Sequence, residues 1–291
     1  MACTLLCRGR NSSNEHPRYL TDLAPHDVAP FRTRIMSDPL VPRIGGILSA
    51  DIAVPDHERE VRFYSRVLTT GEKPLWREDL MNNLGTPIIG LGARIEEYAH
   101  LPLQWMPHIQ VADVAASVKH ALDLGGSKLM LDEANQWAVL LDPNGAAFGI
   151  IPVVPAEAVP PTDGAAAGVG HIAWLDLTVP DASATRDFYR QVVGWSVQDV
   201  EMKAAGEHYA DFNMLGEDGL PAASVCHARG ENAGLPPVWM IYLPVGDLTE
   251  SLHRVEQEGG EILKSSRGND GEPTSAVIQD PVGACIALVQ G

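Results

Sequence analysis

A chain of 291 residues, 45% hydrophobic and 20% charged, has a globular composition and length enough for two domains of ordinary size. No apolar run approaches the roughly 18 to 20 residues that span a bilayer, and a net charge of -17 argues against nucleic acid, whose phosphates need a basic face. Neither a membrane nor nucleic acid is therefore an expected partner.

Residues 1–44 carry Arg8, Arg10, Arg18, Arg32, Arg34 and Arg43 together with five prolines, and they show no hydrophobic periodicity. They lack the apolar core of a secretion signal. The segment reads as a disordered extension, or as sequence upstream of a start at Met36. Cys3, Cys7, Cys226 and Cys285 match no zinc spacing and read as reduced thiols, which fits a cytoplasmic protein.

From Ile47 to Val54 the residues alternate as a strand, which Pro55-Asp56 stops before capping a helix. That helix lines up Phe63, Tyr64, Val67 and Leu68 on one face. A strand opening at Trp105 ends at Asp113, which caps a second helix with Val114, Val118 and Ala121 as its buried stripe. Gly125-Gly126 ends that helix, and Asp142-Pro143-Asn144-Gly145 makes the turn before a closing strand. Residues 153–168, rich in Pro, Ala and Gly, read as a linker.

The same signals then return in the same order. Ala50 to Asp56 reappears as Leu175 to Asp181, Phe63-Tyr64 as Phe188-Tyr189, and Trp105-Met106 as Trp239-Met240. Asp113 reappears as Asp247, Gly125-Gly126 as Gly259-Gly260, and the turn as Asp280-Pro281-Val282-Gly283. The second copy adds clear strands from Tyr209 to Leu215 and from Pro221 to Cys226. The chain is thus an α+β protein of two tandem domains, 45–152 and 169–291. Each is a strand-helix-strands unit repeated twice, and the half-units can pair within a copy or across copies.

This succession resembles the vicinal oxygen chelate superfamily, which includes glyoxalase I, bleomycin-resistance proteins and extradiol dioxygenases. The second copy carries the fuller signature in Trp174-Leu175-Asp176-Leu177, Asp187-Phe188-Tyr189 and Gly194-Trp195. The resemblance implies that two βαβββ half-units form a cup-shaped mixed sheet around one pocket. It also implies, in metal-dependent members, a divalent ion held by His and Glu as a Lewis acid. Carried across, those ligand positions fall on Ser49 and Trp174, Met106 and Met240, Gly149 and Ala287, and near Leu91 and Val225. None is a suitable set of donors, so the expected cofactor is none. A divalent metal held by Asp51, Asp176, His108 or His171 belongs to the alternative reading.

No catalytic residue is assigned from sequence. The candidate ligand-binding residues are Asp51 and Asp176 at matched strand positions, Trp105, Trp174 and Trp239 on pocket-forming strands, His108 with its counterpart Tyr242, and Tyr209. The expected function is binding of a small organic molecule in an aromatic-lined cleft. The alternative is a metal-dependent lyase, isomerase or dioxygenase. Copy two is expected to hold the working pocket, because copy one is shorter and lacks the strand around Tyr209. A monomer or a homodimer is expected.

Overall fold

The structure, a computed structural model, describes residues 42–77, 88–156, 170–204 and 206–291. The first copy contains β1 (Ile47–Val54), α1 (His57–Leu68), β2 (Ile89–Ala93), β3 (Met106–Val111), α2 (Val114–Asp123), β4 (Ser127–Leu131), β5 (Ala138–Leu141) and β6 (Ala147–Pro152). The second contains β7 (Trp174–Val179), α3 (Ala182–Val192), β8 (Ser196–Ala204), β9 (Glu207–Leu215), β10 (Pro221–His227), β11 (Trp239–Val245), α4 (Leu248–Gln257), β12 (Glu261–Arg267), β13 (Pro273–Gln279) and β14 (Cys285–Gln290).

All four helices start the same way. The carboxylates of Asp56, Asp113, Asp181 and Asp247 accept from the backbone N–H of Arg59, Ala116, Ala184 and Glu250. Each satisfies a donor that the helix itself leaves unpaired, an effect of about 1 kcal/mol per cap. Where α2 and α4 end, Gly125 and Gly259 adopt φ of 87° and 88°, a left-handed turn that suits glycine.

Each copy forms its own sheet, in the orders β2-β1-β3-β6-β5-β4 and β12-β13-β14-β11-β7-β10-β9-β8. Its half-units join through the antiparallel pairs β1–β3 and β7–β11. Strand pairing is thus internal to a copy. Helix packing is not: α1 lies against α4 and α2 against α3, so each helix meets one from the other copy. The inner sheet faces and all four helices bury one continuous apolar core drawn from both domains.

The polar groups within that core cross between copies. Tyr64 donates to Asp280 Oδ2 at 2.9 Å and receives the indole N–H of Trp105 at 3.1 Å. Its counterpart Tyr189 receives the indole N–H of Trp239 at 2.9 Å and hydrogen-bonds Asp142. The Oδ1 oxygen of each aspartate accepts backbone N–H groups of its own turn, from Asn144 and Ala146 in one case and Val282 and Ala284 in the other. Each Asp-Pro-x-Gly turn therefore docks on the helix tyrosine of the opposite copy. Trp105 and Trp239, expected at the cleft, point instead into this core and are essentially fully buried. Their strands alternate, and the face that the indoles occupy is the one covered by the helices, where Tyr64 and Tyr189 of the same copy accept the indole N–H groups.

Further ties run from Trp76 Nε1 to the Pro244 carbonyl at 2.6 Å and from Trp195 Nε1 to the Gly45 carbonyl at 2.8 Å. Arg43, placed with the extension from sequence, is buried and pairs with Asp218, so 42–44 belong to the fold. Residues 1–41, with Cys3 and Cys7, lie outside the described residues, as does 157–169 of the linker. Cys226 and Cys285 are buried and unbridged.

The twofold pattern breaks at one buried point. Thr185 accepts from Asn144 Nδ2 at 2.9 Å, but its counterparts across the repeat are Glu60 and Val282. Burial first, and the carboxylate of Asp280 second, push Glu60 up to about 8 from an ordinary value of 4.5. The folded state holds this proton, whereas the unfolded chain releases it near the ordinary value. The stability contributed by Glu60 is therefore full below about pH 4.5 and falls as pH rises through about 8. Glu60→Gln is expected to flatten the loss of urea resistance across that window; an unchanged slope would show that Glu60 carries no such proton. Tyr189→Phe is expected to cost about 1–3 kcal/mol in the same measurement, because it strands the buried Asp142 and the Trp239 N–H.

Candidate functional site

The face of each sheet turned away from the helices forms the cup. In β1, Ala50, Ile52 and Val54 enter the shared core, which sends Ser49, Asp51 and Ala53 to the opposite side by the period of two. In β3, Ile109 and Val111 enter the core, and Met106 and His108 turn to the cup. The result is a cleft in the first domain of about 670 Å³, open mouth included. Tyr98, Met106, Met130 and Trp137 supply much of its wall, with Asp51 and His108 as polar groups among them.

His108 is held from three sides. Ser49, 2% exposed, places its hydroxyl 2.8 Å from Nδ1. On the other side Asp51 Oδ2 lies 3.6 Å from Nε2. Beneath the ring is Gly149, where an added Cβ would stand 2.6 Å from His108 Cδ2. Burial pushes the Asp51 carboxyl up from its ordinary value, and the neighbouring imidazole pulls it back down. A carboxylate and an imidazole in an apolar cup can grip or exchange a proton with a bound molecule.

The register corrects one sequence assignment. A shift between Ile47 and Ser49 sets Ser49 opposite His108, and His108 in turn pairs with Gly149. The same row in the second domain is Trp174, Tyr242 and Ala287. The strand that opens the second half-unit thus contributes His108 and Tyr242 to the row, in place of Met106 and Met240. These rows offer one imidazole, and Gly149 has no room for a side chain while His108 keeps its place. Among the described residues no three His, Cys, Asp or Glu side chains converge. The described donors do not fit the metal cage that the family uses.

The second domain's cup is smaller, about 260 Å³, with Asp176, Met240, Tyr242 and Leu235 on its wall. Leu235 and Val238 pack onto the patch formed by Trp174, Met240 and Tyr242. Lys264 donates to the Glu231 carbonyl and so ties this segment to β12. Its counterpart, counted from the Gly-Gly doublet, is Met130, which lines the open cleft of the first domain. Asp176 accepts from Trp174 Nε1 at 2.6 Å, an engagement that Asp51 does not share. Tyr209 lines neither cleft; it lies under the Arg229 guanidinium at 4.4 Å and edge-on to His227. The larger cleft is therefore in the first domain, contrary to the expectation from chain length.

Of the eight sequence candidates, the structure unites Asp51 with His108 in one cleft and Asp176 with Tyr242 in the other, where Trp174 is bonded to Asp176. Trp105, Trp239 and Tyr209 stand apart. Tyr98, Met130 and Trp137 were not singled out, since apolar residues on short strands and turns carry no sequence signal of a pocket. Only their repeat-aligned positions could have pointed to them.

Comparison with known proteins decides the family. Residues 49–151 match the model described as a glyoxalase-like domain, and residues 168–288 match the glyoxalase/bleomycin resistance protein/dioxygenase superfamily. The chain belongs to the vicinal oxygen chelate superfamily. Among its relatives of this superfamily is CFP32 of Mycobacterium bovis, which carries a provisional glyoxylase name. It is 30% identical over 117 residues, 40% of this chain and 44% of that protein. The anthracycline biosynthesis protein DnrV of Streptomyces peucetius is 30% identical over 131 residues, 41% of this chain and 46% of that protein. Each match spans less than half the length of the relative. In fold, the chain is similar to an extradiol ring-cleaving dioxygenase from B. fuscum, with a TM-score of 0.51 at 12% identity, covering 86% of this chain and 72% of that one.

The packing under His108 gives a direct test. Gly149→Ala is expected to push the imidazole off Ser49, which NMR of the ring nitrogens reads as a changed Nδ1 environment. Retention of the native signals would mean that the ring is not seated on Gly149.

Proposed function

We propose that this chain binds a small, largely apolar organic molecule in the cup of its first domain, and that it does so without the metal usual in the superfamily. The observation that carries this reading is the polar pair His108–Asp51 set among Tyr98, Met106, Met130 and Trp137 in one open cleft. Few polar groups within an apolar concavity orient a ligand, while the apolar wall supplies most of the binding free energy. The poor fit of the described donor set to a metal supports metal independence, as does the place of Gly149 beneath the imidazole.

Within this reading Ser49 positions the ring, His108 and Asp51 contact the ligand's polar group, and Trp137 reports occupancy. Among the described residues no helix is long and apolar enough to cross a membrane.

The test is elemental analysis of protein purified without chelator or affinity metal, followed by titration with small apolar molecules read by tryptophan fluorescence. The expected result is substoichiometric metal, with ligand-induced quenching that survives chelator and is lost in Trp137→Phe. Tightly held, stoichiometric metal that disappears in His108→Ala would overturn it in favour of a metal-dependent lyase, isomerase or dioxygenase.

A further inference from the structure

We infer that the first domain's cup selects a neutral hydroxyl group, which sits between His108 and Asp51. This inference rests on the cleft being a small-molecule site and adds the chemistry of the molecule it takes. Nε2 of His108 and Oδ2 of Asp51 are 3.6 Å apart, beyond the reach of a good hydrogen bond. An atom about 2.8 Å from each would sit roughly 2.1 Å off the line that joins them, on the side where both groups face the cleft.

The two groups ask different things of that atom. The carboxylate of Asp51, 3.6 Å from Nε2, favours a proton on that nitrogen, so the imidazole presents a donor there, and the Ser49 hydroxyl, 2.8 Å from Nδ1, suits either role at the other nitrogen. Asp51 presents an acceptor. A hydroxyl oxygen accepts from the first and donates to the second with the same atom. An ether or a carbonyl oxygen can only accept, which leaves Asp51 desolvated and unpaired.

Charge excludes the other common polar group. Among the described residues Asp51 is the only acidic residue that lines the cleft, and no Lys or Arg lines it. A ligand carboxylate or phosphate would meet a carboxyl group in an apolar surround and find no fixed cation. The rest of the wall, with Tyr98, Met106, Met130 and Trp137, suits an apolar body. Sites built around a substrate hydroxyl discriminate strongly against analogues that lack it, because their own polar groups are then left buried and unpaired.

The matched set 2-naphthol, 2-methoxynaphthalene and 2-naphthoate tests this with the full chain and with Asp51→Leu. The wild-type protein is expected to bind 2-naphthol at least about ten-fold more tightly than either of the others, a difference of about 1.4 kcal/mol. Asp51→Leu is expected to erase the gap between naphthol and the methyl ether while keeping affinity for the ether. Equal binding of those two by the wild type, tighter binding of naphthoate, or a preference that persists in Asp51→Leu would each overturn the hydroxyl assignment and leave the cleft as a general apolar site. If none of the three binds, the small-molecule reading of the cleft fails, and the hydroxyl assignment with it.

Discussion

Two buried tyrosines, each bonded to an aspartate of the other copy, set the arrangement on which the rest of the molecule depends. Tyr64 reaches Asp280, and Tyr189 reaches Asp142. Burial holds both phenols in the protonated form, so each remains a donor. A carboxylate in an apolar core is costly without such a donor, and its Oδ1 oxygen is already committed to the Asp-Pro-x-Gly turn. The turns therefore have to meet the opposite helices. Once they do, the helix faces of both sheets are closed and the cups are left facing outward.

That division separates what must stay alike in the two copies from what can differ. The core side repeats almost residue for residue: Trp105 with Trp239, Tyr64 with Tyr189, Phe63 with Phe188. On the cup side the counterparts diverge: Ser49 against Trp174, His108 against Tyr242, Gly149 against Ala287, Met130 against Lys264. In the second domain Trp174 takes up Asp176, and a tied segment covers the mouth. In the first, the small residues Ser49 and Gly149 leave room for an imidazole that faces a carboxylate across an open cleft.

The repeat, the four capping aspartates and the succession of elements were all legible in the sequence, because each is fixed by neighbours a few residues away. The faces were not. Alternation in β3 and β11 separates Trp105 from Met106 and Trp239 from Met240. Which side meets the helices is set by packing between elements far apart in sequence, and no local signal records it. The place of His108 was hidden for a related reason: the shift between Ile47 and Ser49 sets the pairing of β1 with β3, and such a bulge leaves little trace in composition. Chain length misled as well: most of the extra residues of the longer copy lie between α3 and β10, whereas the segment that narrows its cup, with Leu235 and Val238, has a counterpart of equal length in the first copy. Asp51 and His108 were legible as matched polar positions on pocket strands, but their proximity was not.

Because helix packing and buried hydrogen bonds cross between the copies, the peptide connection through residues 157–169 is not what holds the halves in place. A chain cleaved there would still be clasped by the same core, as a noncovalent pair of unlike fragments. By the same token, either fragment alone would present a broad face of tryptophan, tyrosine and phenylalanine to water. Duplication has in this sense produced a heterodimer that happens to be written on one strand of polypeptide.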